Sequence, residues 1–211
     1  MKESGEPPSL HDVHDLIMNA YVPFADIERA IPWPTALGER SENDAEHSFA
    51  LGFIGAAIAQ RLGLDTGKVA EFALVHDFAE RISGDVSVWD VEGRKSKEEQ
   101  EAEAMLEIKE IWGHFPWIHQ RLEEYSTLES EEACLVYALD KLMAIIIIEA
   151  GGGYFWKQNE ITYKDHVAKV DEIRPRIAKH PVVLAWYDQE LRLVEGRGAE
   201  LFAPVDSSAD L

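Results

Sequence analysis

The sequence predicts an all-α fold, a single-domain helical bundle, and three observations carry that expectation. Apolar residues recur at helical spacing along nearly the whole chain, and no stretch alternates convincingly as a half-buried strand does. Turn and stop residues cluster between those stretches, at Pro23, Pro32-Trp33-Pro34, Gly63, Ser83-Gly84 and Gly151-Gly152-Gly153. With 211 residues, 46% of them hydrophobic, the chain has the length and composition for one folded domain with a substantial core.

The elements follow in order. Leu10 to Tyr21 reads as a first helix, and the proline-broken segment Ala25 to Asn43 as a short helix plus an irregular loop. Asp44 is the predicted N-cap of a helix to about Leu62, with Glu46 in its first turn, and Gly63 supplies a left-handed stop. Thr66 caps a helix that runs through Val69, Phe72, Ala73, Val75 and His76 to about Ile82. Ser96 to Trp112 is charged and helical, with Ala102, Met105, Leu106 and Ile108 as its buried stripe, and a further helix lies near Trp117 to Tyr125. Ser130 to Ala150 is long and apolar and is predicted to be the central helix. Gly151-Gly152-Gly153 terminates it and lacks the lysine-serine/threonine of a phosphate loop. Helices at about Tyr163 to Lys179 and Pro181 to Val194 complete a domain over residues 9–195, with 1–8 and 196–211 as flexible termini.

The charge narrows the partners. Forty acidic against 20 basic residues give a net charge of -20, which repels the phosphate backbone of long nucleic acid. A small phosphorylated substrate stays possible, because a bound cation and a few basic side chains reverse the potential locally. Cys134 is the only cysteine, so an intramolecular disulfide and a cysteine-based zinc site are excluded, and its apolar helical setting predicts a buried, inert thiol. Met1 to Pro8 lacks the apolar core of a signal peptide. The greasiest run, Leu142 to Ile148, is too short to span a bilayer. A soluble cytoplasmic protein without membrane association is expected.

Chemistry concentrates in three scattered signals: His47, the pair His76-Asp77, and Asp140. Two imidazoles and two carboxylates form a mixed nitrogen/oxygen set suited to one first-row divalent cation. His76-Asp77 follows Phe72-Ala73-Leu74-Val75, and Asp140 stands between Tyr137-Ala138-Leu139 and Leu142-Met143. Unpaired charge on such apolar faces is costly, and a shared metal relieves it while leaving positions open for water and substrate. Manganese, cobalt, iron, nickel, zinc or magnesium would serve. Glu80, four residues after His76, shares its face on a continuous helix. Isolated residues carry blander readings. His11, His14, His114, His119, His166 and His180 read as surface or hydrogen-bonded core histidines, Glu46 as a helix-dipole partner, and Lys141 as a solvated or ion-paired neighbour.

The order His47, His76-Asp77, Asp140 resembles the signature of the HD-domain metal-dependent phosphohydrolases. Arg40-Ser41-Glu42-Asn43-Asp44-Ala45-Glu46-His47-Ser48, His76-Asp77-Phe78-Ala79-Glu80 followed by Gly84-Asp85, and Tyr137-Ala138-Leu139-Asp140-Lys141-Leu142 are similar to motifs of its 5'-deoxynucleotidase branch. The resemblance covers about Leu10 to Ala150. It implies metal ligation by His47, His76, Asp77 and Asp140, and general acid/base work by Glu80. It also implies a sugar or supporting contact by Asp85, with Trp33 near the sugar. The branch usually places an arginine before that tryptophan to hold the phosphate, where this chain has Pro32. Arg29 or Arg40 would take over, Arg40 matching a motif arginine.

The implied activity is removal of the 5'-phosphate from (deoxy)nucleoside monophosphates. The alternatives are an HD-type nucleoside triphosphate or polyphosphate hydrolase, and a non-catalytic nucleotide-binding protein on the same frame. A homodimer is expected from the family habit and from Tyr154, Phe155 and Trp156, read as exposed aromatics.

Overall fold

The computed structural model describes residues 7–35, 40–83 and 97–204, and the chain is essentially all-α. Helices α1 (Leu10–Asp15) and α2 (Val22–Ala25) are joined by a π-helical segment, Leu16–Tyr21. One feature departs from the helical expectation. Strands β1 (Glu28–Pro32) and β2 (Ser41–Asn43) pair antiparallel, Glu28 opposite Asn43 and Pro32 opposite Ser41, in an irregular register. The segment expected to be short helix and loop is therefore a small ribbon.

α3 (Asp44–Leu62) starts from Asn43 rather than from Asp44: the Asn43 side chain accepts the Glu46 N–H at 2.9 Å, and the Glu46 carboxylate accepts the Asn43 N–H at 3.2 Å. Gly63, at φ 77°, ends the helix as expected. α4 (Thr66–Val75) is likewise capped one residue early, by Asp65. The helix expected to reach Ile82 stops at Val75, turns through His76 to Ala79, and resumes as α5 (Glu80–Ser83). Its cause is local. His76 Nδ1 donates to the Ala73 carbonyl at 2.9 Å, the acceptor that the Asp77 N–H would use in a continuing helix. Three-residue bonds follow, Phe78 N–H to Val75 O and Glu80 N–H to Asp77 O.

α6 (Lys97–Ile111) and α7 (Pro116–Thr127) come next, and Ser130 caps α8 (Glu131–Ala150), the most deeply buried helix. The buried stripe of α6 is Ala104 and Ile108, continued by Trp112, while Leu106 is 70% exposed and Ala102 is also exposed. That corrects the expected stripe, because spacing by four is what meets Phe78 and Val75 across the interface. α9 (Tyr154–Gln158), α10 (Tyr163–Ile177), α11 (Pro181–Gly196) and α12 (Gly198–Leu201) complete the chain.

α8 is the axis of the larger core, against which α3, α4, α10 and α11 pack. A second cluster, built on Phe24, Phe78, Ile108 and Trp112, seats the N-terminal helices on α5, α6 and α7. Two expectations are corrected here. Phe155 and Trp156 lie in the core rather than forming a surface aromatic patch, which removes the structural ground for the expected homodimer contact. The tail expected to be loose from Gly196 packs down as far as Leu201 and Phe202, with Phe202 stacked on Trp156 at 4.3 Å. Gly153, at φ 71°, permits this: a Cβ there would lie 2.0 Å from the Leu201 carbonyl oxygen. Cys134 is buried, as expected. No helix among the described residues is long and apolar enough to cross a membrane.

Candidate metal centre

Three helices and the ribbon meet at one point. His47 stands in the first turn of α3, His76 immediately after α4, and Asp140 midway along α8. α3 and α4 come close because they meet at glycines: a Cβ on Gly52 would touch Ala73 at 3.6 Å, and one on Gly55 would crowd Val69 at 2.9 Å. His47, His76 and Asp77 each bring a ligand atom within 4.8 Å of the others. Asp140 joins them, its Oδ1 lying 3.0 Å from His47 Nε2.

The tautomers suit a cation. With Nδ1–H given to the Ala73 carbonyl, His76 keeps its lone pair on Nε2. That buried nitrogen lies 2.9 Å from Asp77 Oδ2, yet the contact is not aligned as a hydrogen bond, so Nε2 has no hydrogen-bond partner. An orphaned imidazole nitrogen beside two carboxylates fits a divalent ion better than it fits any protein partner at hand. His47 is fixed from the other side. Its Nδ1 lies 3.0 Å from Glu42 Oε1, leaving Nε2 for the centre. Burial opposes charge on His47, but its contacts with Asp140 and Glu42 outweigh burial and raise the imidazolium to about 9. A metal and that proton compete for the same nitrogen.

The carboxylates are held ionised. Burial would raise Asp77, but neighbouring His76 and Arg29 hold it below the usual carboxylate range. Asp140 is likewise kept well down, Lys141 and His47 overcoming its burial. Lys141 Nζ is 2.6 Å from Asp140 Oδ2, and Asp140 raises the ammonium against its own burial.

The other sequence-predicted residues fall around this centre. Glu80 is 7% exposed and brings an oxygen within 4.8 Å of oxygens of Asp77 and Asp44. It reaches them from the start of α5, across the turn, rather than from the face of a continuous helix. Arg29 Nη1 spans Asp77 (2.7 Å) and Asp44 (3.1 Å), and its Nε lies 3.6 Å from Glu42. Those carboxylates raise its pKa despite burial. Arg40 lies farther out, paired with Glu46 and stacked 5.1 Å over the Trp33 ring. Trp33 is partly exposed, and its backbone N–H donates to the Arg40 carbonyl at 2.8 Å. Asp85 lies outside the described residues.

Sequence reasoning missed Glu42 and Tyr125, while Lys141 is the ion-paired neighbour it expected. Glu42 is 5% exposed, and the only signal was its place five residues before His47 in an acidic segment. Tyr125, from α7, meets the His76 ring edge-on at 6.1 Å, and burial together with Asp140 and Asp77 pushes its hydroxyl well above 10.0. Nothing in its local sequence points to that contact.

Comparison with known proteins identifies the family. A family model described as the HD domain matches residues 29–180. The 5'-deoxynucleotidase HDDC2 of Danio rerio is 33% identical over 110 residues, 51% of this chain and 54% of that protein. The Homo sapiens protein of the same name is 32% identical over 111 residues, covering 51% and 53%. The chain thus aligns with about half the length of these curated relatives. Among solved structures, the "predicted metal-dependent phosphohydrolase" of Magnetospirillum magnetotacticum superposes with a TM-score of 0.74 at 25% identity, covering 91% of this chain and 97% of that one. The PH0347 protein of Pyrococcus horikoshii, at 24% identity and a TM-score of 0.57 over 87% and 98%, shares the fold. With the family model matching well over half of its length, this chain belongs to the HD domain family.

Proposed function

We propose that the chain is a divalent-metal-dependent phosphomonoesterase that removes the 5'-phosphate from nucleoside or deoxynucleoside monophosphates. The observation that carries this reading is the convergence of His47, His76, Asp77 and Asp140, with a buried His76 Nε2 that makes no hydrogen bond. The 5'-deoxynucleotidase relatives and the phosphohydrolase-named structure support the reaction class.

His47 Nε2, His76 Nε2 and the carboxylates of Asp77 and Asp140 would hold one divalent cation. When bound, it would lower the pKa of a water and polarise the phosphoryl group. Glu80, itself buried, stands beside Asp77, where it would orient the attacking water and return a proton to the leaving ribose oxygen. Trp33, stacked under Arg40 and partly exposed, offers a flat apolar surface for the sugar. Asp85 is assigned a supporting contact to sugar or water.

A panel of nucleoside mono-, di- and triphosphates, each with Mn, Co, Fe, Ni, Zn or Mg and read by phosphate release, tests this. Inorganic phosphate should appear from monophosphates in the presence of a divalent metal. Release of pyrophosphate or triphosphate without monophosphate turnover would replace the reading with a polyphosphate hydrolase. Glu80→Gln should lower kcat by roughly 10²- to 10⁴-fold while metal content stays unchanged.

A further inference from the structure

Beside Asp140, two cations share one aromatic ring. Tyr137, one helical turn before Asp140 on α8, carries the Arg176 guanidinium 4.4 Å from its ring centre and the Lys141 ammonium 5.5 Å from it. Lys141 in turn touches Asp140 Oδ2 at 2.6 Å. Arg176 comes from the last turn of α10 and is exposed. In a chain with twice as many acidic as basic residues, no carboxylate among the described residues lies within ion-pair distance of it. Arg174, two residues earlier on the same helix, is by contrast paired with Asp188 at 2.6 Å. The dipole of α10 favours a cation in its last turn, at about 0.3–1 kcal/mol, but either arginine satisfies that. It does not account for a guanidinium seated on the ring next to Asp140.

Solvent reaches side chains on both sides of Asp140. The Lys141 side chain is 27% exposed and that of Asp77 18%, although both sit among buried neighbours. On the far side of the centre, the Tyr125 ring meets that of His76 edge-on at 6.1 Å. The arginines that the sequence suggested for phosphate are occupied differently, Arg29 by Asp77, Asp44 and Glu42, and Arg40 by Glu46.

We propose that Arg176 and Lys141 form the subsite that holds the phosphoryl oxygens of the substrate. The assignment rests on the phosphomonoesterase reading and deepens it. Lys141 supplies a point charge next to Asp140, and Arg176 a planar fork, pre-oriented by Tyr137, that matches two oxygens of a dianionic phosphate. Arg176 lies beyond the segments that resemble known motifs, on a helix packed against α8 from outside them.

Metal-loaded protein is titrated calorimetrically with inorganic phosphate, and KM and kcat are measured for a nucleoside monophosphate in parallel. Arg176→Gln should weaken phosphate binding and raise KM by roughly 10- to 100-fold, the range expected for charge-assisted hydrogen bonds. Its metal content should equal the wild type's, and kcat should change much less than KM. Arg176→Lys should recover part of the loss, and Arg174→Gln should behave as wild type in both assays. Arg176→Gln with phosphate binding and KM within twofold of wild type overturns the subsite and leaves the phosphomonoesterase reading standing. So does a metal-loaded wild type that binds no phosphate yet hydrolyses the ester. Phosphate binding that Arg176→Gln abolishes, in a protein that hydrolyses no ester, sustains the subsite and removes the reaction instead.

Discussion

His47 uses both ring nitrogens, and each faces a different element. Nε2 points at Asp140 on α8, while Nδ1 meets Glu42 on β2, both at 3.0 Å. Glu42 also lies 3.6 Å from Arg29 Nε, so a buried carboxylate is shared between an imidazole and a guanidinium. A charged acceptor on Nδ1 fixes the tautomer with its lone pair on Nε2 and makes that nitrogen a better donor to a metal. Glu42 is therefore a positioning residue, acting through His47. Glu42→Gln keeps the shape and an acceptor oxygen but removes the charge. It should weaken binding of a divalent cation by about tenfold, the lower end for partners of ligand histidines. Competition against a chromophoric chelator reads this without reference to turnover, and an affinity within twofold of wild type would refute the role. Glu42→Asp restores the charge at a shorter reach and should recover part of the affinity.

At the scale of elements, the centre depends on how closely α3 and α4 approach, and two glycines separate the possibilities. A Cβ at Gly52 would make ordinary contact with Ala73, so Gly52→Ala should be neutral or stabilise by up to about 1 kcal/mol through helix propensity. A Cβ at Gly55 would fall 2.9 Å from Val69 Cγ1, on a stiff β-branched side chain fully buried in the interface. Gly55→Ala should destabilise by about 1–3 kcal/mol and loosen metal binding as the helices part. Urea midpoints for the two variants check the contrast, and equal shifts would refute it. The same elements show what the sequence made legible. His76-Asp77 and Asp140 could be picked out because they interrupt apolar helical patterns, and burial of unpaired charge is costly whatever the fold; His47, in a polar first turn, was legible only through the resembling motif around it. The ribbon left no such trace, since β1 and β2 are five and three residues long, contain Pro32 and pair irregularly. With it went Glu42 and the carboxylate cage around Arg29. The break after Val75 was hidden for another reason. It arises from a side-chain bond, His76 to the Ala73 carbonyl, that displaces a backbone one without disturbing the apolar pattern.

Across the whole molecule, the last helices pack onto the bundle partly through an aromatic cluster. Trp156, Tyr163 and Phe202 surround His166, with ring centres 4.9, 6.5 and 5.2 Å away. His166 is 4% exposed and its Nε2 has no hydrogen-bond partner, so burial alone lowers its pKa from 6.5 to about 4. Between those values the unfolded chain binds more protons at this position than the folded one does. The neutral ring therefore contributes its full stability above pH 6.5, and that stability is lost as pH falls toward 4. A depression of this size corresponds to about 3 kcal/mol when lost completely. The many carboxylates titrate over the same range, so the wild-type curve alone does not isolate the effect. His166→Phe keeps an aromatic ring among the same neighbours and removes the titration. Urea unfolding at pH 7 and pH 4.5 should show the wild type losing about 2 kcal/mol more than the variant between the two conditions. If the two proteins lose equal stability over that interval, the imidazole takes its proton in the folded state at its ordinary pH, and the cluster does not exclude charge.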